Sequence, residues 1–453
     1  MQDLTTGSVT RHLLKTTSFM LVGMVFQTLY VLIDLYWVGR LGTDAVAAVG
    51  LSTNLMFAVL AITQMLGVGT TTLVSHAVGR RDREHALYVF NQSQVLSVFI
   101  GLVFFVLAMA FRSSYARQLS ADAETSKLVG DYLGWFIPAM ALQFGMVAMG
   151  AALRGTGLFK PSMVVQTATV ILNIILAPFL IFGWVTGYPL GVAGAALSTF
   201  IAILVGTIIL LFYFKPATSY LKFVPANWKP SLSVWGRMLK IGLPAGTEFA
   251  LMAAYMILVY SVSRRFGAAA QAGFGIGGRI VQAFFLPIVA LGFAVAPVAG
   301  QNFGARQGHR VRDTFRSAAL MASALMFLSA LLAHVAPEAT VRVFSKDPAV
   351  VATGTEYLKI ISWNFIASGI VFVSSSMFQA MGNTIPSLVT SFTRIVVVAI
   401  PVLLLAQAPG FALRWVWYLS VVSVTLQMTL NLLLLRREFR LRLTFEPAAA
   451  RAS

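Results

Sequence analysis

Residues 191–214 read GVAGAALSTFIAILVGTIILLFYF, twenty-four positions without a charged side chain. About 20 consecutive apolar residues, wound as a helix, are enough to cross the hydrocarbon core of a bilayer. Similar runs recur from one end of the chain to the other. Read against Gly, Pro and charged punctuation, they give twelve candidate helices. These fall at 13–38, 45–75, 92–111, 129–152, 162–184, 190–214, 237–264, 269–300, 315–335, 356–380, 386–406 and 412–435. The connections are too short to hold a soluble domain. The longest, Lys215–Gly236, carries Pro216, Pro225 and Pro230 and reads as a linker between two six-helix halves.

Composition agrees. Of 453 residues 58% are hydrophobic and 11% charged, with mean hydropathy +0.82, against about 45–50% and 25% in soluble domains. The net charge of +18 would suggest nucleic acid in a soluble protein. Here the bases sit in short turns between apolar runs, so nucleic acid is not expected as a partner and membrane lipid is. The termini and even-numbered turns hold 21 of the 33 Lys and Arg residues, and the odd-numbered turns hold 10. By the positive-inside rule both termini lie in the cytoplasm. No cleavable signal peptide is expected ahead of the first span, because Met1–Lys15 leads straight into it. The lack of cysteine excludes disulfides, thiolate metal centres and a Cys nucleophile.

An internal repeat at a constant offset of 225 residues organises the chain. Gly42 matches Gly267, Gly50 matches Gly275, and Gly79 and Arg81 match Gly304 and Arg306. Tyr132-Leu133 matches Tyr357-Leu358, and Gly157, Pro161 and Ser162 match Gly382, Pro386 and Ser387. Each half has an even number of spans, so the repeats share one orientation and their pseudo-two-fold axis runs along the membrane normal. The expected fold is therefore an all-α polytopic membrane protein of twelve transmembrane helices in two six-helix bundles. The N-lobe is 1–214, a cytoplasmic linker covers 215–236, and the C-lobe is 237–453 with a short basic tail. A cavity between two such bundles is what a secondary transporter needs.

Ionisable groups inside a bilayer cost about 2.5–3.5 kcal/mol each on insertion scales, so those that persist mark function. Of the 15 acids 13 fall in loops or at helix ends, and the two exceptions are Asp34 and Glu248. Gln27, Tyr30 and Asp34 are spaced three and four apart, which stacks them on one helix face. An anion held there is costly until a proton, a metal ion or a cationic ligand neutralises it. The plainer alternative is a solvated Asp34 at the end of its span. Glu248 follows Gly242-Leu243-Pro244, where Pro and Gly weaken a helix and suit a bend or polar pocket; its alternative is an ion pair with Arg279 or Arg394 that fixes packing. Asn173 and Thr199 are neutral oxygen donors within apolar runs. So are Gln64, Gln143, Gln166, Gln282 and Asn364, and such groups also serve as hydrogen-bond glue between helices.

Several chemistries are missing. No GxxxxGK[ST] stretch exists, which excludes a nucleotide-driven pump within this chain. Gly273-Phe274-Gly275-Ile276-Gly277-Gly278 has the form G-x-G-x-x-G but lies inside a span with no preceding strand, so it reads as small-residue helix packing. The His residues lack ligand spacing. An integral-membrane enzyme would need loop acids, a His cluster or a nucleotide site, and none is visible.

Asp34-Leu35-Tyr36-Trp37-Val38-Gly39-Arg40-Leu41-Gly42 with Ala47-Ala48-Val49-Gly50 resembles the first-helix motif of the multidrug and toxic compound extrusion (MATE) transporters. Gly69–Ser75 leading into Gly79-Arg80-Arg81-Asp82, Gly300–Arg306, Leu153–Gly157 and Gly242-Leu243-Pro244 extend the resemblance over about residues 10–435. It implies export of amphipathic, often cationic drugs or toxic compounds in exchange for H⁺ or Na⁺, with no cofactor, from a monomer in a prokaryotic inner membrane. It makes Asp34 the essential first-helix carboxylate, and gives Asn173, Thr199 and Glu248 roles in cation coupling. Gln27, Tyr30, Gln64, Gln143, Gln166 and Tyr255 are then expected to line the substrate cavity. Two positions depart from the pattern. Ala177 stands where relatives carry a second acid, and span 1 lacks a bending proline, with Gly23 the nearest substitute. A hard cation such as Na⁺ wants several oxygen ligands, whereas a proton needs only Asp34. The same superfamily also contains flippases for lipid-linked precursors. That alternative calls for a strongly basic cavity, and only Arg279 and Arg394 are available mid-span.

Overall fold

The computed structural model describes residues 1–120, 122–185, 187–215, 220–405 and 410–445. Among them the secondary structure is helical, with no strand. The helices are α1 Val9–Gly39, α2 Thr43–Gly79, α3 Arg83–Leu119, α4 Ala123–Gly155, α5 Phe159–Phe182, α6 Gly191–Tyr213 and α7 Leu232–Ser263. There follow α8 Ala268–Gly304, α9 Gly308–Val335, α10 Pro337–Arg342, α11 Pro348–Ile361, α12 Phe365–Ala380, α13 Ile385–Leu405 and α14 Arg414–Arg442. Twelve helical runs are long and apolar enough to cross a membrane; α11 and α12 form one of them through a 3₁₀ turn at Ser362–Asn364.

The twelve expected spans are present, but most helices are longer than their apolar cores. Capping explains part of the extension. The Asp82 carboxylate accepts from the His85 N–H at 3.0 Å and starts α3 nine residues before its apolar run. Asp122 and Asp347 cap α4 and α11 in the same way. Each satisfies amides that a helix start leaves unpaired.

The repeat is visible in the backbone. The helices α2 and α8 are both 37 residues long and begin 225 positions apart. Positive φ recurs at the same offset: Gly42 and Gly267 at +115° and +91°, Arg81 and Arg306 at +59° and +57°, Gly157 and Gly382 at +80° and +72°. A non-glycine residue with positive φ is uncommon, so two arginines sharing it at equivalent positions reflect one turn used twice.

Two compact units are present. Unit 1 comprises Met1–Asp3 and Phe19–Gly246; unit 2 comprises Leu4–Ser18 and Thr247 onward. The first part of α1 thus belongs to unit 2, and the first part of α7 to unit 1. The core of unit 1 is built on Phe90, Leu133, Ile137 and Phe144, and that of unit 2 on Phe365, Phe378 and Trp417, all almost fully buried. Small residues let helices close up, as expected for Gly273 and Gly277. A Cβ at Gly273 would lie 2.7 Å from the Thr353 side chain, and one at Gly277 would lie 2.4 Å from the Tyr357 ring.

Pro244 does not end the helix. Residues Leu232–Ser263 are one continuous helix with Pro244 inside it. Its glycines serve contact instead: a Cβ at Gly242 would meet the Met65 carbonyl oxygen at 2.0 Å, and one at Gly246 the Ala61 carbonyl oxygen at 2.6 Å. Within the linker, Pro216 lies outside the described residues, as does the tail from residue 446. The linker's described end is held by α3. Gln92 Nε2 donates to the carbonyls of Asn227 and Lys229, both at 2.7 Å, and its Oε1 accepts from Ser231 N–H at 2.9 Å. Asn91 likewise binds Lys222 O, Val224 N–H and the Trp228 indole.

Candidate functional site

In unit 1 the polar face of α1 meets α5 and α6. The Thr199 hydroxyl donates to the Ala195 carbonyl at 3.2 Å, so its oxygen must act as acceptor toward Tyr30 OH at 3.2 Å and Asn173 Nδ2 at 3.0 Å. A hydroxyl has one proton and two lone pairs, and all three are then used. Asn173 Nδ2 also reaches Ser198 Oγ at 3.4 Å. One turn away, Gln166 Nε2 donates to Gln27 Oε1 at 2.9 Å. Five sequence candidates, Gln27, Tyr30, Gln166, Asn173 and Thr199, therefore join in side-chain hydrogen bonds, and Ser198 joins them from beside Thr199.

Two acceptors here are left over. Asp34 Oδ1 and Asn173 Oδ1 are buried with no hydrogen-bond donor. Buried polar atoms are nearly always satisfied, and the exceptions need an explanation. The Asp34 carboxylate acts electrostatically on the phenols of Tyr30 and Tyr132. Tyr132 is a site neighbour that the sequence marked only as part of the repeat. Asp34 is partly buried rather than fully solvated. Ala177, one turn beyond Asn173 on α5, is 1% exposed and adds no charge to this cluster. Gln64 on α2 and Gln143 on α4 are partly buried and take no part in its hydrogen bonds.

In unit 2, Glu248 is partly buried on α7, and its Oε1 is buried without a partner. Ser387, a polar neighbour of the carboxylate, shares a hydrogen bond with Ser375. Neither ion pair considered for Glu248 is formed. Among the described residues the ion pairs are Arg316–Asp313, Arg342–Glu338 and Arg442–Glu438. Arg279 is exposed, while the Arg394 guanidinium stacks over the Tyr255 ring at 5.2 Å. Tyr255 OH donates to Ser420 Oγ at 3.0 Å. Arg394 Nε is buried without an acceptor. Among the described residues no three of His, Asp and Glu come together as a metal cluster.

Twelve helices long and apolar enough to cross a membrane, in a duplicated chain, define a multi-pass membrane protein, and the family it belongs to is one of transporters, not enzymes. The chain belongs to the MatE family, whose model matches residues 20–179 and 244–405. It is 28% identical over 380 residues to the multidrug export protein MepA of Staphylococcus haemolyticus, covering 83% of this chain and 82% of that protein. With MepA of Staphylococcus aureus it is 27% identical over 406 residues, covering 89% and 88%. The fold matches the outward-facing conformation of a multidrug resistance MATE family transporter of the MOP superfamily, with a TM-score of 0.89, 23% identity and 98% of both chains covered. It also matches a MOP superfamily transporter from Pyrococcus furiosus described as having reversed binding-pocket polarity, with a TM-score of 0.89, 23% identity and coverage of 96% and 97%.

Proposed function

We propose that this protein is a cation-coupled antiporter that exports amphipathic, often cationic small molecules, with Asp34 as the group that takes up the driving ion. One observation carries the reading: a buried carboxylate oxygen without a donor, beside a hydrogen-bonded cluster that already uses its own protons. An uncompensated anion in that setting favours whatever neutralises it, a proton or a cation. Binding and release in alternating states would couple the ion to the cargo, provided each binds the two states differently. A charge moving through 100 mV supplies about 2.3 kcal/mol. The cluster offers Asp34, Asn173 and Thr199 oxygens, few for a hard cation, so H⁺ is preferred over Na⁺. Both termini face the cytoplasm in this reading, and the monomer is the working unit.

The test is counterflow in proteoliposomes, with the pH and Na⁺ gradients imposed separately and a lipophilic organic cation as cargo. Asp34→Asn is expected to abolish gradient-driven efflux at normal protein levels, and full efflux in that variant would refute the assignment. Glu248→Gln is expected to slow efflux partially, through loss of the buried carboxylate. Translocation of a lipid-linked precursor in the same vesicles, without cation efflux, would instead indicate a flippase.

A further inference from the structure

The 225-residue offset reaches into the polar clusters. Tyr30 and Tyr132 of unit 1 correspond to Tyr255 and Tyr357 of unit 2. In unit 1 this pair of phenols lies within electrostatic reach of a carboxylate, Asp34. In unit 2 the equivalent pair flanks a guanidinium: Arg394 stacks on Tyr255 and acts electrostatically on Tyr357. The charges come from different helices. The counterpart of Asp34 is Val259, 1% exposed in the core, and the counterpart of Arg394 is Thr169 on α5. One frame of two tyrosines thus holds opposite charges in the two repeats.

Arg394 lies midway along α13, where an unneutralised charge is costly. No carboxylate approaches it within 4.0 Å among the described residues, its Nε is buried without an acceptor, and the face of Tyr255 covers it. A cation–π contact satisfies the charge in part but consumes none of the N–H donors. Those donors form a planar fork that fits a carboxylate or sulfonate through two parallel hydrogen bonds. The packing around it is aromatic, with Tyr255 partly exposed and Tyr357 and Trp417 buried behind it. Tyr357 packs on Trp417 at 4.8 Å between ring centroids, and the Trp417 indole N–H is itself buried and unpartnered. The partly exposed ring of Tyr255 beside an unused cationic fork suits an anionic group carried on an aromatic body.

We infer that Arg394, framed by Tyr255 and Tyr357, forms a second binding site in unit 2 for the carboxylate or sulfonate of an aromatic amphiphile. The inference deepens the exporter reading by adding anionic compounds to its cargo, and it rests on that reading only for the direction of transport. Equilibrium binding needs no gradient, so the site can be tested even if coupling through Asp34 fails.

The probes are radiolabelled 2-naphthoate and its neutral counterpart 2-naphthamide, bound to the full-length protein in neutral detergent. The wild type is expected to prefer the naphthoate by about tenfold or more. Arg394→Gln should remove that preference, and Arg394→Lys should keep part of it, because it retains the charge and loses the fork. Arg279→Gln, an exposed base on α8, should leave it unchanged. Equal wild-type affinity for the two probes would overturn the inference without recourse to any variant. A preference that survives Arg394→Gln would also overturn it, as would one that tracks Arg279. Displacement of the naphthoate by chloride alone would point to a bare-anion site and defeat the aromatic assignment.

Discussion

The two repeats share the turns that open and close their second helices and use their polar residues differently. In unit 1 the segment leading into α7 is seated by Asn91 and Gln92, both fully buried on α3. In unit 2 the segment leading into α1 is seated from α8 and α9. Gln301 Oε1 accepts from Leu4 N–H at 3.0 Å, and Arg310 donates to the Gly7 carbonyl at 2.9 Å and to Asn302 Oδ1 at 2.8 Å. Duplication preserved the turns, whose φ values permit few alternatives, while the side chains that seat each entering segment diverged. Backbone geometry constrains sequence more tightly than hydrogen bonding does, because many side chains can satisfy one carbonyl.

Disturbing each seat tests that contrast. Gln92→Leu strands two carbonyls and an amide in unit 1, and should cost about 3 kcal/mol or more, read as a lowered unfolding midpoint in detergent. Arg310→Met should cost less, about 1–2 kcal/mol, because its side chain is only partly buried and water can replace it. Equal losses would mean the two seats are equivalent after all. Gly42→Ala and Gly267→Ala sharpen the shared part: neither position has an atom within 4 Å of an added Cβ, so only the positive φ resists. Each should cost about 1–2 kcal/mol, with the two values close together. The smallest effect concerns the cap of α4. Hydrogen bonds from the Thr125 N–H and hydroxyl hold the Asp122 carboxyl below its ordinary 3.8. A lowered folded value means the cap is fully effective above 3.8 and is lost as pH falls through the folded value beneath it. Protection of the Thr125 amide, relative to its intrinsic exchange, should therefore fall as pH drops below 3.8 while that of its neighbours holds, and Asp122→Asn should abolish that difference.

The number, order and duplication of the spans were legible because hydrophobic length is a coarse signal and survives divergence. Their ends were not, since a helix past the apolar run is set by capping groups such as Asp82, which leave no mark on hydropathy. The break at Ser362–Asn364 was also hidden. It falls 225 positions from Pro138, which α4 accommodates inside an unbroken helix, so the residue associated with distortion sits in the intact copy. Within the unit 1 cluster, Gln27, Tyr30 and Asp34 were readable from helical spacing alone. Tyr132 was not, because its proximity to Asp34 depends on how α4 packs. The interior of unit 2 was least readable. Glu248 and Arg394 invite pairing by charge, and only side-chain placement reveals that the acid turns to a serine and the base to a ring.

The sharing of α1 between units bears on how the protein is made. Leu4 finds its acceptor in Gln301, 297 residues further along. During translation that segment must be kept in place, without its partner, while most of the transmembrane helices are inserted ahead of the one that completes it. Residues among the earliest to leave the ribosome are thus among the last to settle, and a chain cut at the linker would yield two fragments, neither of which contains a whole unit.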